Sequence, residues 1–144
     1  MFNSILVVCV GNICRSPTGE RLLKKALPNK KVGSAGLGAL VDKPADAMAI
    51  EVAAQHALSL EGHQARQLTS SMCREYDLIL VMEKKHIDAV CRVAPEARGK
   101  IMLYGHWVEQ REIADPYRQS REAFEFIYRL LDESAQKWAK ALSR

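Results

Sequence analysis

Hydrophobic and polar positions alternate along this chain in two different rhythms. Ser4-Ile5-Leu6-Val7-Val8 is a nearly continuous apolar and β-branched run, which suits a strand buried on both faces rather than a half-solvated one. Asp77-Leu78-Ile79-Leu80-Val81-Met82 and Lys100-Ile101-Met102-Leu103-Tyr104 repeat the pattern, and Lys31-Val32-Gly33-Ser34-Ala35 is a weaker version of it. Between these runs the sequence predicts helices over Pro17 to Leu27, Asp46 to Leu58 and Lys84 to Val93, the last stopping before Pro95. Further on, Phe124, Ile127, Tyr128, Leu131, Ala135, Trp138 and Leu142 recur at three-and-four spacing, which makes one buried helical stripe. Strands that alternate with helices imply right-handed crossovers, hence an α/β fold with a parallel sheet covered on both faces. Ligands of such sheets sit beyond the carboxyl ends of the strands.

Length and composition narrow the picture to a single domain over residues 1–144. The chain is 48% hydrophobic and 26% charged, and it has no internal repeat or low-complexity segment. The start lacks the basic region and cleavage site of a signal peptide, and no apolar run approaches the ~18 residues of a membrane span. The expected location is the cytoplasm, without membrane insertion. Cys9, Cys14, Cys73 and Cys91 are too scattered for paired zinc ligands and too few for a disulfide scaffold, so reduced thiols are the default. A net charge of +4, with 21 cations offset by 17 carboxylates and no basic stripe interleaved with aromatics, argues against a nucleic-acid role.

The chemistry is concentrated directly after the first strand, in Cys9-Val10-Gly11-Asn12-Ile13-Cys14-Arg15-Ser16-Pro17. A thiol opens this loop and Arg15 closes it. Pro17 is suited to a first helical position and Ser16 to an N-cap, so a helix is expected to begin there. Its unpaired amides and positive end, together with the amides of a loop wrapped round a tetrahedral oxyanion, would form an anion nest. Gly11 is expected to permit the tight backbone path. The planar fork of Arg15 can grip two phosphate oxygens at once, and the positive field favours thiolate over thiol at Cys9. Alone, Cys9 reads as a buried strand-end thiol and Arg15 as a surface cation; their joint arrangement points to phosphate chemistry.

This loop, Cys9 to Ser16, resembles the Cys-x5-Arg-Ser/Thr phosphate loop of the low-molecular-weight protein tyrosine phosphatases, including its Val-Gly-Asn-Ile-Cys interior. Ser34-Ala35-Gly36, His63-Gln64-Ala65-Arg66, Asp77-Leu78-Ile79-Leu80 with Met82-Glu83, and Asp115-Pro116-Tyr117 look like further landmarks in the family order. The resemblance implies a three-layer sandwich with a central four-stranded parallel sheet flanked by helices, and neither metal nor cofactor. It implies Cys9 as nucleophile, Arg15 as phosphate clamp and Asp115 as general acid, with residues Val10, Gly11, Asn12, Ile13, Cys14 and Arg15 binding phosphate. Asn12, Ser16, Ser34 and His63 would support the loop, Ser16 by holding the Cys9 thiolate. Tyr117 would stack on the substrate ring, although bare it reads as a loop anchor, and bare Asp115-Pro116 reads as an ordinary turn. His56, His86 and His106 carry no functional argument.

Two departures bear on the substrate. Many members of the family have two adjacent tyrosines after Asp-Pro, whereas this chain has Tyr117-Arg118. The loop after Ser34-Ala35-Gly36 lacks the aromatic residue often used as the facing wall, and Leu40 is its expected replacement. Both resemble the bacterial branch that acts on tyrosine autokinases of exopolysaccharide or capsule export, which implies such a tyrosine-phosphorylated kinase as partner and inorganic phosphate as product. Cys14 could form a reversible disulfide with Cys9 or be a packed spectator thiol. An arsenate reductase of the same fold would need two resolving cysteines, for which only Cys73 and Cys91 are available. An inactive phosphotyrosine-binding module would need neither Cys9 nor Asp115.

Overall fold

The computed structural model describes residues 2–143. Four parallel strands, β1 (Ser4–Cys9), β2 (Lys31–Gly36), β3 (Leu78–Val81) and β4 (Ile101–Leu103), form one sheet in the order β2-β1-β3-β4. Five α-helices cover it: α1 (Arg15–Ala26), α2 (Ala47–Gln55), α3 (Ser70–Glu75), α4 (Lys84–Val93) and α5 (Arg121–Leu142), with a short 3-10 helix over Pro95–Lys100. No helix among the described residues is long and apolar enough to cross a membrane.

Strand β1 is central. Its residues pair with β2 from Ser4↔Lys31 to Cys9↔Gly36 and with β3 from Ile5↔Leu78 to Val8↔Val81. This explains the unbroken apolar run, because alternate side chains must enter two separate cores. Ile5, Val7 and Cys9 pack among α1, α2 and α5 residues such as Leu23, Val52, Leu131 and Trp138. Leu6 and Val8 pack on the other side, with Cys73 of α3 and Val90 and Cys91 of α4. Each such aliphatic burial contributes about 1.5–3 kcal/mol. The chain leaves β1 for β2 on one side and later reaches β3 on the other, so the strand order reverses at the carboxyl end of β1. That is where a doubly covered parallel sheet opens a crevice.

Helix α1 starts earlier than its sequence suggests. Arg15 is its first residue, Cys14 occupies the N-cap without a side-chain cap bond, and Pro17 lies at the third helical position. Ser16 therefore does not cap the helix; its hydroxyl is drawn to Cys9 and Asn12 instead. Real caps stand at Asp46, which accepts from the Met48 and Ala49 amides, and at Ser120, which accepts from Ala123.

Candidate active site

The segment between β1 and α1 is anchored by its carbonyls. The Cys9, Val10, Gly11 and Ile13 oxygens accept from the amides of Leu37, Gly38, Leu40 and Asp46 at 2.8–3.1 Å, and the Asn12 oxygen lies 2.6 Å from His63 Nε2. Five consecutive carbonyls thus face outward. In a trans peptide the following N–H points the opposite way, so the amides of residues 10–14 turn inward. Val10, Gly11, Ile13, Cys14 and Arg15 line a cavity of about 210 Å³ together with Cys9, Gly38, Leu40, Asp115 and Tyr117.

The left-handed turn of this loop falls on Asn12, with φ of 59°, and not on Gly11. A Cβ on Gly11 would meet only Ile13 at 3.7 Å, an ordinary contact. Asparagine tolerates that backbone region, and its side chain is tied on three sides. Nδ2 donates to Ser16 Oγ at 2.7 Å and to Ser34 Oγ at 3.1 Å, while Oδ1 accepts from the Arg66 amide at 2.9 Å. Ser34 in turn donates to Glu20 at 2.6 Å. Because Ser16 Oγ accepts from Asn12, its own proton is available to Cys9 Sγ, 2.9 Å away. The four residues expected to support the loop form one continuous network with Asn12 at its centre.

Cys9 is 2% exposed and Arg15 likewise 2%, yet both border the cavity. Nη1 of Arg15 donates to Glu83 at 2.6 Å and to the Ile113 carbonyl at 2.8 Å. Nη2 lies 3.8 Å from Asp115 Oδ2, and among the described residues no hydrogen bond occupies Nε or Nη2, the fork edge suited to an anion. Asp115 is half-exposed, and its Oδ1 accepts the Tyr117 amide at 3.0 Å, which fixes the carboxylate at the cavity mouth. Leu40 and Tyr117 both line the cavity.

Electrostatics separate the cysteines and histidines. Burial, reinforced by the charges of Asp46 and Asp115, pushes the Cys14 thiol well above its ordinary range. Burial lowers His63, which suits a neutral ring donating from Nε2 to Asn12. All four cysteines are free thiols, and Cys73 and Cys91 lie in the core on the opposite face of the sheet from Cys9. No group of three or more His, Cys, Asp or Glu suited to a metal stands together among the described residues.

Glu83 and Arg66, which the sequence marks only as family landmarks, and Glu20, which it does not mark, also take part in this site. Glu83 is the N-cap of α4, in a capping box with His86, and burial opposes its ionisation while the Arg15 bond and charge hold its carboxyl below the usual range. A sequence signal existed for it: an acidic residue just past the carboxyl end of a central strand, before a helix.

Comparisons with known proteins give the family. The family model for low molecular weight phosphotyrosine protein phosphatase matches residues 4–144. The protein-tyrosine-phosphatase Wzb of Escherichia coli K12 is 65% identical, over 99% of this chain and 97% of its own. The crystal structure of Erwinia amylovora tyrosine phosphatase AmsI superposes with a TM-score of 0.98 at 65% identity, covering 100% of this chain and 95% of the other. Vibrio vulnificus Wzb in complex with benzylphosphonate gives 0.97 at 63% identity, covering 99% and 100%. A shared catalytic fold, matched over the full length at such identity, makes this chain a member of the low molecular weight phosphotyrosine protein phosphatases.

Proposed function

We propose that this phosphatase hydrolyses protein phosphotyrosine with Cys9 as nucleophile, Arg15 as phosphate clamp and Asp115 as general acid and base. The observation that carries the reading is the convergence of the Cys9 sulfur, the free edge of the Arg15 fork and the Asp115 carboxylate on one cavity whose loop carbonyls all face away. The thiolate attacks phosphorus in line, the bond from phosphorus to the tyrosine oxygen breaks, and Asp115 gives its proton to the departing phenolate. Water then attacks the phosphocysteine, Asp115 takes its proton, and the sulfur–phosphorus bond breaks to release inorganic phosphate and the thiolate. Inward amides and Arg15 stabilise the equatorial oxygens throughout, while Asn12, Ser16, Ser34 and His63 hold the loop.

Cys9→Ser is expected to abolish turnover of p-nitrophenyl phosphate while phosphate still binds. Asp115→Asn is expected to slow aryl phosphates with poor leaving groups most, by about 10²- to 10⁴-fold. Near-normal single-turnover rates in either variant would overturn the assignment.

The physiological partner on this reading is a cytoplasmic, tyrosine-phosphorylated tail of a bacterial tyrosine autokinase of exopolysaccharide or capsule export. Its support is the resemblance of Leu40 and Tyr117-Arg118 to that bacterial branch, together with the identity to Wzb. Phosphate release from such a tail in vitro tests it, and failure on every tail tried would count against it.

A further inference from the structure

Arg118 follows the cavity-lining Tyr117 in a conformation that its residue type disfavours. Its φ is 63°, and the Gln119 amide donates to the Pro116 carbonyl at 2.8 Å, closing a turn with Tyr117 and Arg118 at its centre. A positive φ at the third turn position ordinarily selects glycine or asparagine. Here the surroundings impose it: the Tyr117 amide is held by Asp115 Oδ1, and Gln119 Nε2 donates to the Asp115 carbonyl at 3.2 Å. Backbone strain at a binding site invites the question of what it positions.

What it positions is a cation. The Arg118 guanidinium lies 5.2 Å from the centre of the Tyr117 ring, in the range of a cation–π contact, and Tyr117 lines the cavity. Arg118 is exposed, and no ion pair or hydrogen bond engages its side chain among the described residues. Elsewhere the exposed residues that line the cavity are apolar, Val10 at 41% and Leu40 at 46% exposed. On the Tyr117 side Asp115 already faces Arg15 at 3.8 Å, which leaves the Arg118 cation without a partner among the described residues.

We propose that Arg118 selects substrates that carry negative charge beside the phosphotyrosine, either an acidic side chain or a second phosphotyrosine. The inference rests on the phosphotyrosine reading above. A phosphotyrosine ring lying against Tyr117 brings its neighbouring residue past Arg118, whose fork pairs equally with a carboxylate or a phosphate.

The test is a set of phosphotyrosine peptides in which either flanking residue is alanine, aspartate, lysine or a second phosphotyrosine. Each kcat/KM is divided by the same variant's value for p-nitrophenyl phosphate, so a loss common to all substrates cancels. At low ionic strength the wild type should favour aspartate over alanine by about three- to fivefold, the scale of an exposed ion pair, and the second phosphotyrosine by more. The preference should shrink in high salt. Arg118→Gln should bring the ratios to about one, and Arg118→Glu should invert them in favour of lysine. A gain with the second phosphotyrosine alone assigns the residue to clustered phosphotyrosines; a gain in both arms assigns it to negative charge in general. Ratios unchanged in Arg118→Glu, or an equal loss on every peptide, would overturn the proposal while leaving the phosphotyrosine reading intact. If the wild type cleaves p-nitrophenyl phosphate but no phosphotyrosine peptide, both fall.

Discussion

Arg15 enters the site with one nitrogen already engaged by Glu83 and Ile113, and with almost none of its surface exposed. Removing Glu83 leaves that guanidinium buried with less compensation, a change that ordinarily costs about 3–5 kcal/mol. Glu83→Ala should therefore lower the melting temperature, and added inorganic phosphate should raise it by more than in the wild type, because the anion replaces the lost counter-charge. Thermal denaturation in phosphate against chloride buffer measures the difference. At Asn12 two effects separate. Both Asn12→Gly and Asn12→Ala lose the bonds to Ser16, Ser34 and Arg66, but alanine also bears the left-handed backbone, so it should be the less stable by about 1 kcal/mol in urea denaturation. Cys9 and Arg15 could be found in the sequence because one short loop carries both, and their spacing implies a nest. Glu83 meets Arg15 across 68 positions, so its place just past β3 is legible in the sequence but its partner is not.

Strand β2 contributes through how closely it approaches the loop. A Cβ on Gly36 would overlap the Val10 carbonyl oxygen, a backbone atom with no rotamer to relieve it. Gly36→Ala should therefore displace the loop from its position, cost about 1–3 kcal/mol in denaturant titrations and lower kcat/KM, although residue 36 does not line the cavity. All four strands and four of the five α-helices could be read from periodicity, since the double burial of β1 and the stripe of α5 leave strong patterns. Helix α3 is six residues long, too short for a stripe to show, and the 3-10 helix that begins at Pro95 has no apolar period to display. The sequence sets the start of α1 two residues late because Ser16 and Pro17 look like an ordinary cap, whereas a thiol and an amide outside the helix compete for the serine hydroxyl.

At the scale of the whole molecule, the buried groups around the site impose one direction of pH dependence. His63 and His86 are lowered from 6.5, both chiefly by burial and His86 also by the charge of Arg15. The unfolded chain therefore binds protons first as pH falls, and stability declines below about pH 6.5. Glu20 and Glu83 lie below 4.5, because hydrogen bonds from Ser34 and Lys24 to Glu20, and from Arg15 to Glu83, outweigh their burial, so a second decline begins near pH 4.5. Urea midpoints should be level from pH 8 to about pH 7 and fall from there to pH 4, and His63→Gln, whose amide can still donate to Asn12, should flatten the first segment of the fall. The five outward carbonyls carry a further consequence. The protein's own donors fix the curvature of the cradle, so little reorganisation is needed when a dianion arrives. A seat made in advance holds the spent product as readily as the incoming group. Free phosphate should therefore act as a competitive brake, and discrimination among proteins is left to the few side chains at the entrance.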